Sequence, residues 1–197
     1  MQGVMHKKSK DAVDDSVKKY VRKALTRATE TKMITYNSYA TGATDVSWAF
    51  TWPSIGSSSI TRIGDKIKVK GFQLNYHYQN TSVPAIMRMV VVVSGDTTPI
   101  PSTTLFKDAP SAYLTGHVDT NAYKVLYDKT MVVSPNGPTM VKDRCYIPFS
   151  RVIRFDEGTT TTSNGYIHAW FGQANGAGTP ITAGYLVGGF ATSYTDS

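Results

Sequence analysis

The chain has 197 residues and a single cysteine, enough length for one domain plus an arm and too few thiols for an internal disulfide, so the fold must stand on packing. Charged residues make up 18%, only two glutamates occur (Glu30 and Glu157), and Thr, Val, Tyr and Ser are abundant, a balance that favours strands over helices. The net charge of +7 is segregated: residues 1–35 hold nine Lys/Arg against four Asp/Glu and so carry +5 of it, as expected of a basic tail that reaches for a polyanion. The longest unbroken apolar run, Met89–Val93, is far too short for a membrane-spanning helix, and the N-terminus lacks the apolar core of a signal peptide. The expectation is a protein that does not insert into membranes and is made or assembled inside a cell.

In chain order, Met1 to Lys10 is polar and basic. From Ser9, a candidate N-cap, the spacing of Val13, Val17, Tyr20, Val21, Ala24, Leu25 and Ala28 predicts a helix with a narrow apolar stripe. Asp14 and Asp15 in its first turns and Lys23 and Arg27 in its last suit the helix dipole. Lys18, Lys19, Arg22 and Lys23 flank the stripe, with Arg27 beyond them. Such a stripe either docks on its own domain or meets copies of itself and nucleic acid; its narrowness, outside the β region, favours the second. Residues 1–32 are thus expected to form a basic, partly helical arm facing nucleic acid, and 33–197 a separate β domain.

Beyond Lys32 the predicted elements are strands: 33–39, 46–52, 65–78, 85–94, 122–133, 144–155, 165–172 and 184–193. The organising stretch is 60–80. Ile67 and Val69 alternate with Lys66, Lys68 and Lys70, and at Gly71 the phase slips before Phe72, Leu74, Tyr76 and Tyr78 carry the apolar face onward. A slip of one residue would turn those four side chains into water unless the strand bulges, which glycine tolerates. The next strand is apolar on both faces from Met89 to Val93, as expected of a strand between two layers. Residues 97–121, mixed in composition and holding three prolines, read as a surface excursion with room for a short helix or strand. Eight strands without a βαβ rhythm predict an all-β fold, an eight-stranded jelly roll of two packed sheets.

Little here asks to be an enzyme. His6, His77, His117 and His168 are scattered without metal-ligand spacing, no nucleophile elbow or phosphate loop occurs, and Asp156-Glu157-Gly158 reads as a turn. Cys145 is expected to be a buried thiol. Trp48, Trp52 and Trp170 suit core packing, or sugar stacking if the chain is instead a glycan- or ligand-binding jelly-roll module.

Three short motifs carry a resemblance. They are Lys19-Tyr20-Val21-Arg22-Lys23 with Glu30-Thr31-Lys32 and Asn37-Ser38 in and after the arm, Gly64-Asp65 before alternating basic and aliphatic residues, and the terminal Tyr194-Thr195-Asp196-Ser197. In order and spacing the chain resembles the single jelly-roll viral capsid proteins, of the kind found in satellite tobacco necrosis virus and in circular single-stranded DNA viruses. The resemblance implies a coat protein of a virion, self-assembled in about sixty copies into a T=1 shell. Its arms would lie inside and cluster in threes through Val13, Val17, Val21 and Leu25, against a single-stranded DNA or RNA genome. Such a shell would bring on the order of three hundred arm charges to the phosphate backbone, read without base specificity. The genome contacts expected are Lys18, Lys19, Arg22, Lys23 and Arg27, with Lys66, Lys68 and Lys70 as a further basic inner face. No cofactor is required, but the resemblance implies calcium between subunits, held by Glu30, Asp196 and the backbone carbonyls of Ile63 and Lys66. The acidic residues that the family places ahead of this strand are replaced by Gly56-Ser57-Ser58-Ser59, so a second, threefold metal site is not implied.

Overall fold

The computed structural model describes residues 15–21, 31–41, 45–58, 60–108, 114–163 and 165–196, with the backbone alone for 36–41. Eight strands carry the domain: β1 (Lys32–Thr41), β2 (Asp45–Ala49), β3 (Lys66–Gln79), β4 (Ala85–Ser94), β5 (Lys124–Val133), β6 (Met140–Arg154), β7 (Tyr166–Asn175) and β8 (Tyr185–Asp196). They form two four-stranded antiparallel sheets, ordered β1-β8-β3-β6 and β2-β7-β4-β5. The order follows from folding the chain back on itself, so that β1 lies beside β8, β2 beside β7, β3 beside β6 and β4 beside β5. Rolling that double ribbon until its halves face each other gives a jelly roll, the architecture the sequence predicted. All eight predicted strands are present; β6 begins earlier, at Met140, and β8 runs on to Asp196.

β3 is the hub, because β8 and β6 bond to its two edges along nearly its whole length. Ile67 and Val69 are fully buried while Lys66, Lys68 and Lys70 are exposed. The register against both neighbours shifts between Val69 and Gly71, and beyond this bulge Phe72, Leu74, Tyr76 and Tyr78 continue the buried face. Glycine is required there for a reason the alternation alone does not give. A Cβ at position 71 would lie 2.3 Å from Tyr146 Oη and 2.7 Å from the Ile147 carbonyl oxygen, because the tyrosine crosses the bulge and donates its hydroxyl to the Lys70 carbonyl at 3.0 Å. Between the sheets, Phe50 packs on Phe72 edge-on at 5.1 Å and on Phe190 at 4.6 Å, and Phe72 meets Phe149 at 5.3 Å. Burying each such ring contributes about 1.5–3 kcal/mol.

The second sheet is covered on its outer side as well. The described residues of 95–123 form a packed layer over that side, with a short helix such as the sequence allowed. A one-turn helix, Ser102–Leu105, with Ile100, Phe106, Leu114 and Val118 closes over Val90, Val92 and Trp170. Polar anchors fix the layer in place. Asp45 accepts from Trp170 Nε1 (2.5 Å) and from the Ser102 backbone N–H (3.0 Å), and Ser47 Oγ accepts from the Ile100 N–H (2.6 Å). The buried Arg88 takes Asp128 with both arms of its guanidinium (2.7 and 2.6 Å) and donates to the Gly116 carbonyl (2.7 Å), under the Phe106 ring. Trp52 and Trp170 are buried and Trp48 is half-buried against the core, so none of the three offers a sugar-stacking face.

Two predictions follow from this packing. Gly71→Ala should destabilise the domain by about 1–3 kcal/mol, read as a drop in denaturation midpoint at unchanged m-value, because the added methyl meets backbone as well as the tyrosine. His168 is fully buried in β7; its Nε2 donates to the Asp96 carbonyl (2.8 Å) and its Nδ1 has no partner among the described residues. Burial pushes the imidazole pKa below its ordinary 6.5, only partly offset by the Asp96 carbonyl. The unfolded chain therefore takes the proton first. The stabilisation is complete above about pH 6.5 and is lost as pH falls towards the folded value. Tm measured from about pH 8 to pH 5 should fall more steeply for the wild type than for His168→Gln, and equal slopes would contradict the assignment.

Candidate nucleic-acid interface

Among the described residues, one sheet face remains open. The register sets Lys66 beside Arg154, Gln73 beside Tyr146, Asn75 beside Arg144 and His77 beside Lys142 across β3 and β6. Lys66, Lys68, Lys70, Lys142, Arg144 and Arg154 are all exposed on this outer face. Alternate residues of a strand stand about 6.6–6.8 Å apart and adjacent strands about 4.8 Å, so these cations form a two-dimensional array rather than a cluster.

The single carboxylate of these two strands, Asp143, is turned the other way and is already neutralised. Asp143 accepts from Tyr127 Oη (2.5 Å) and Lys129 Nζ (3.1 Å) between the sheets. Desolvation works against that carboxylate, but these two donors outweigh it and hold its pKa below the ordinary value. Burial pushes the Tyr76 and Tyr127 phenols well above theirs, so both stay neutral donors. Cys145, half-buried nearby, has its thiol pushed up by burial and by the Asp143 charge, which suits packing and not nucleophilic chemistry. Outside, by contrast, Lys66, Lys68 and Lys142 form no ion pair among the described residues. Lys70 Nζ donates to Thr31 Oγ1 (2.6 Å), and the Gln73 amide, oriented to accept, takes Arg144 Nε and Nη2 at 2.8 and 2.6 Å. Cations with no carboxylate partner among the described residues, as Lys66, Lys68 and Lys142 are, suit phosphate, held by charge and without base specificity.

Of the residues predicted to meet nucleic acid, Lys66, Lys68 and Lys70 come together on this face. Lys18 and Lys19 lie exposed on the helical segment 15–21, with Lys18 3.9 Å from Asp15. Arg22, Lys23 and Arg27 lie outside the described residues. Sequence reasoning did not include Lys142, Arg144, Tyr146 and Arg154. Their signal was the alternation Lys142-Asp143-Arg144-Cys145-Tyr146, which a strand begun at Arg144 cuts in two.

The residues implied for calcium are arranged for something else. Asp196 Oδ2 holds Lys32 Nζ at 2.7 Å and its Oδ1 accepts the Ile63 backbone N–H at 2.9 Å; Lys32 Nζ also donates to the Thr61 carbonyl at 2.9 Å. Ile63 thus turns its N–H, not its carbonyl, to the carboxylate, and a buried ammonium stands where a cation would bind. Lys66 opens β3 beside Arg154, and Glu30 lies outside the described residues. Among the described residues no three His, Cys, Asp or Glu side chains converge on one point. The residues present do not fit a hard cation here; they form a lysine clasp between the start of β1, the end of β8 and the loop before β3.

No protein-family model matches the chain, and no curated protein matches it. Among solved structures it is similar to the empty head of turnip yellow mosaic virus, at 12% identity over 86% of this chain and 82% of that one with a TM-score of 0.40. It is similar to Desmodium yellow mottle tymovirus at 14% identity over 86% and 90% of the two chains, TM-score 0.37. It is similar to the virus-like particle of the nodavirus of the prawn Macrobrachium rosenbergii at 12% identity over 86% and 96%, TM-score 0.29. Overlaps this loose carry no argument about what the chain does.

The clasp makes a prediction of its own. Asp196→Asn should lower stability by about 1.5–3 kcal/mol, since it strands the buried ammonium of Lys32, whereas EDTA should leave the Tm of the wild type unchanged. A Tm that rises with calcium in the wild type and not in Asp196→Asn would restore a metal to this place.

Proposed function

We propose that the chain is a viral coat protein that self-assembles into a small closed shell and packages a single-stranded genome. The observation that carries the reading is the basic outer face of the β1-β8-β3-β6 sheet, bare of carboxylates among its described outward residues, in a chain that also gathers most of its net charge at one end. A sheet face that is merely solvated has no reason to exclude one sign of charge. With the other sheet covered, the bare face is the one left to meet the packaged nucleic acid. Val17, Tyr20 and Val21 are exposed on the helical segment, so their stripe is available to copies of itself, as the three-arm clustering requires. In this reading the chain is a virion protein made in the host cell, in about sixty copies of T=1 arrangement, and no catalytic step is asked of it. Lys18, Lys19, Arg22, Lys23 and Arg27 of the arm share the genome contact with the sheet lysines.

Electron microscopy of the purified full chain should show uniform shells about 20 nm across, and dispersed monomers under every salt condition would overturn the reading. Replacing Lys66, Lys68 and Lys70 with Gln should lower the slope of log affinity against log salt by about 2–3 for single-stranded oligonucleotides, and should reduce the 260/280 nm absorbance ratio of purified particles.

A further inference from the structure

Tyr146 stands amid the basic array with 56% of its surface exposed. Its tip is anchored by the bulge: the phenol lies across β3 where Gly71 has no side chain, and its hydroxyl donates to the Lys70 carbonyl at 3.0 Å. The ring is thereby immobilised without being buried. Lys70 lies at its tip, and Arg144, held to Gln73, lies two positions before it on β6. On the far side of Arg144 the face sinks into a recess of about 620 Å³, lined by Thr35, Asn75, His77, Lys142 and Arg144 over a floor at Gly189. That volume falls within the ~300–1,000 Å³ of ordinary ligand sites. Its lining offers amide, imidazole and cationic groups, and also Asp143, whose carboxylate is already held by Tyr127 and Lys129.

We propose that this face binds an unpaired strand of nucleic acid, with one base stacked on Tyr146 and a neighbouring base set into the recess beside Arg144, while Lys68 and Lys70 on one side of the ring and Lys142 at the recess hold the flanking phosphates. A fixed exposed ring among cations is the arrangement that takes bases by their faces, whatever their identity. A duplex cannot use it, because its bases are already stacked and paired, and it meets only the charges. The inference rests on the reading of this face as the one that meets nucleic acid.

The test uses the full chain freed of nucleic acid in high salt, and labelled oligo(dT), oligo(U) and a duplex of equal length, followed by fluorescence anisotropy. Wild type should bind the single strands more tightly than the duplex, and the two single-stranded arms read which sugar the face accepts. Tyr146→Ala should lose about tenfold or more of the single-strand affinity and leave duplex affinity and salt slope unchanged, while Tyr146→Phe retains wild-type binding. Should the alanine variant melt early, Tyr146→Leu keeps apolar bulk over the bulge and serves in its place. The combined change of Lys66, Lys68 and Lys142 to Gln should weaken single strands and duplex alike and flatten the salt slope. If that variant behaves so while Tyr146→Ala affects both ligands equally or neither, the stacking site is wrong and the nucleic-acid face stands. If the lysine variant changes nothing, the face itself has been misread.

Discussion

A strand of fourteen residues keeps one face in a core only while its side chains stay in phase, and β3 goes out of phase at Gly71. The bulge there is the constraint on which the rest depends. It lets Ile67 and Val69 share a core with Phe72, Leu74, Tyr76 and Tyr78, and thereby lets β6 and β8 pair with β3 on both sides of the irregularity. The same bulge admits Tyr146 across the strand, so a device that rescues the hydrophobic pattern also sets an exposed phenol ring in the basic array. The stability of the core and the shape of the outer face are therefore not independent properties of this domain.

Charge is handled by opposite rules on the two sides of that sheet. Inward, each described carboxylate is matched: Asp143 by Tyr127 and Lys129, Asp196 by Lys32 and the Ile63 N–H. Cations are matched there too, as Arg62 shows. It is fully buried, donates to the carbonyls of Pro53 (3.2 Å), Gly64 and Thr159, and lies 3.9 Å over the Phe155 ring, tying the loop before β3 to the turn after β6. Buried charge left unmatched would cost several kcal/mol, so these pairs are obligatory. Outward, no such cost exists, and the lysines are left open.

The strands, the bulge and the two-faced burial of β4 were legible in the sequence because alternation is a local signal, carried by residues two positions apart. What escaped was non-local. Nothing near Tyr146 announces that its hydroxyl will bond a carbonyl 76 positions away, and nothing near Lys32 names Asp196 as its partner. Within 97–121 a short helix was expected and is found, but its apolar packing was not foreseen, for a different reason. Ile100, Leu105, Phe106, Leu114 and Val118 follow no period, and three prolines among polar residues look like a surface loop. Yet the signal was present one step removed: a strand as apolar as Val90–Val93 on both faces demands a second cover. Of the candidate site, the β3 lysines were legible by alternation, and their β6 neighbours only once the register was known.

The covering layer has a consequence for symmetry. With one sheet covered by the described residues of 95–123 and the other bare and cationic among the described residues, the domain has a front and a back that cannot be exchanged without stranding apolar surface or charge. In the proposed shell, a subunit so polarised would arrive at any neighbour already knowing which way is out. Lateral contacts then need specify only angle, not orientation, and the number of wrong ways for copies to meet falls before any interface is formed.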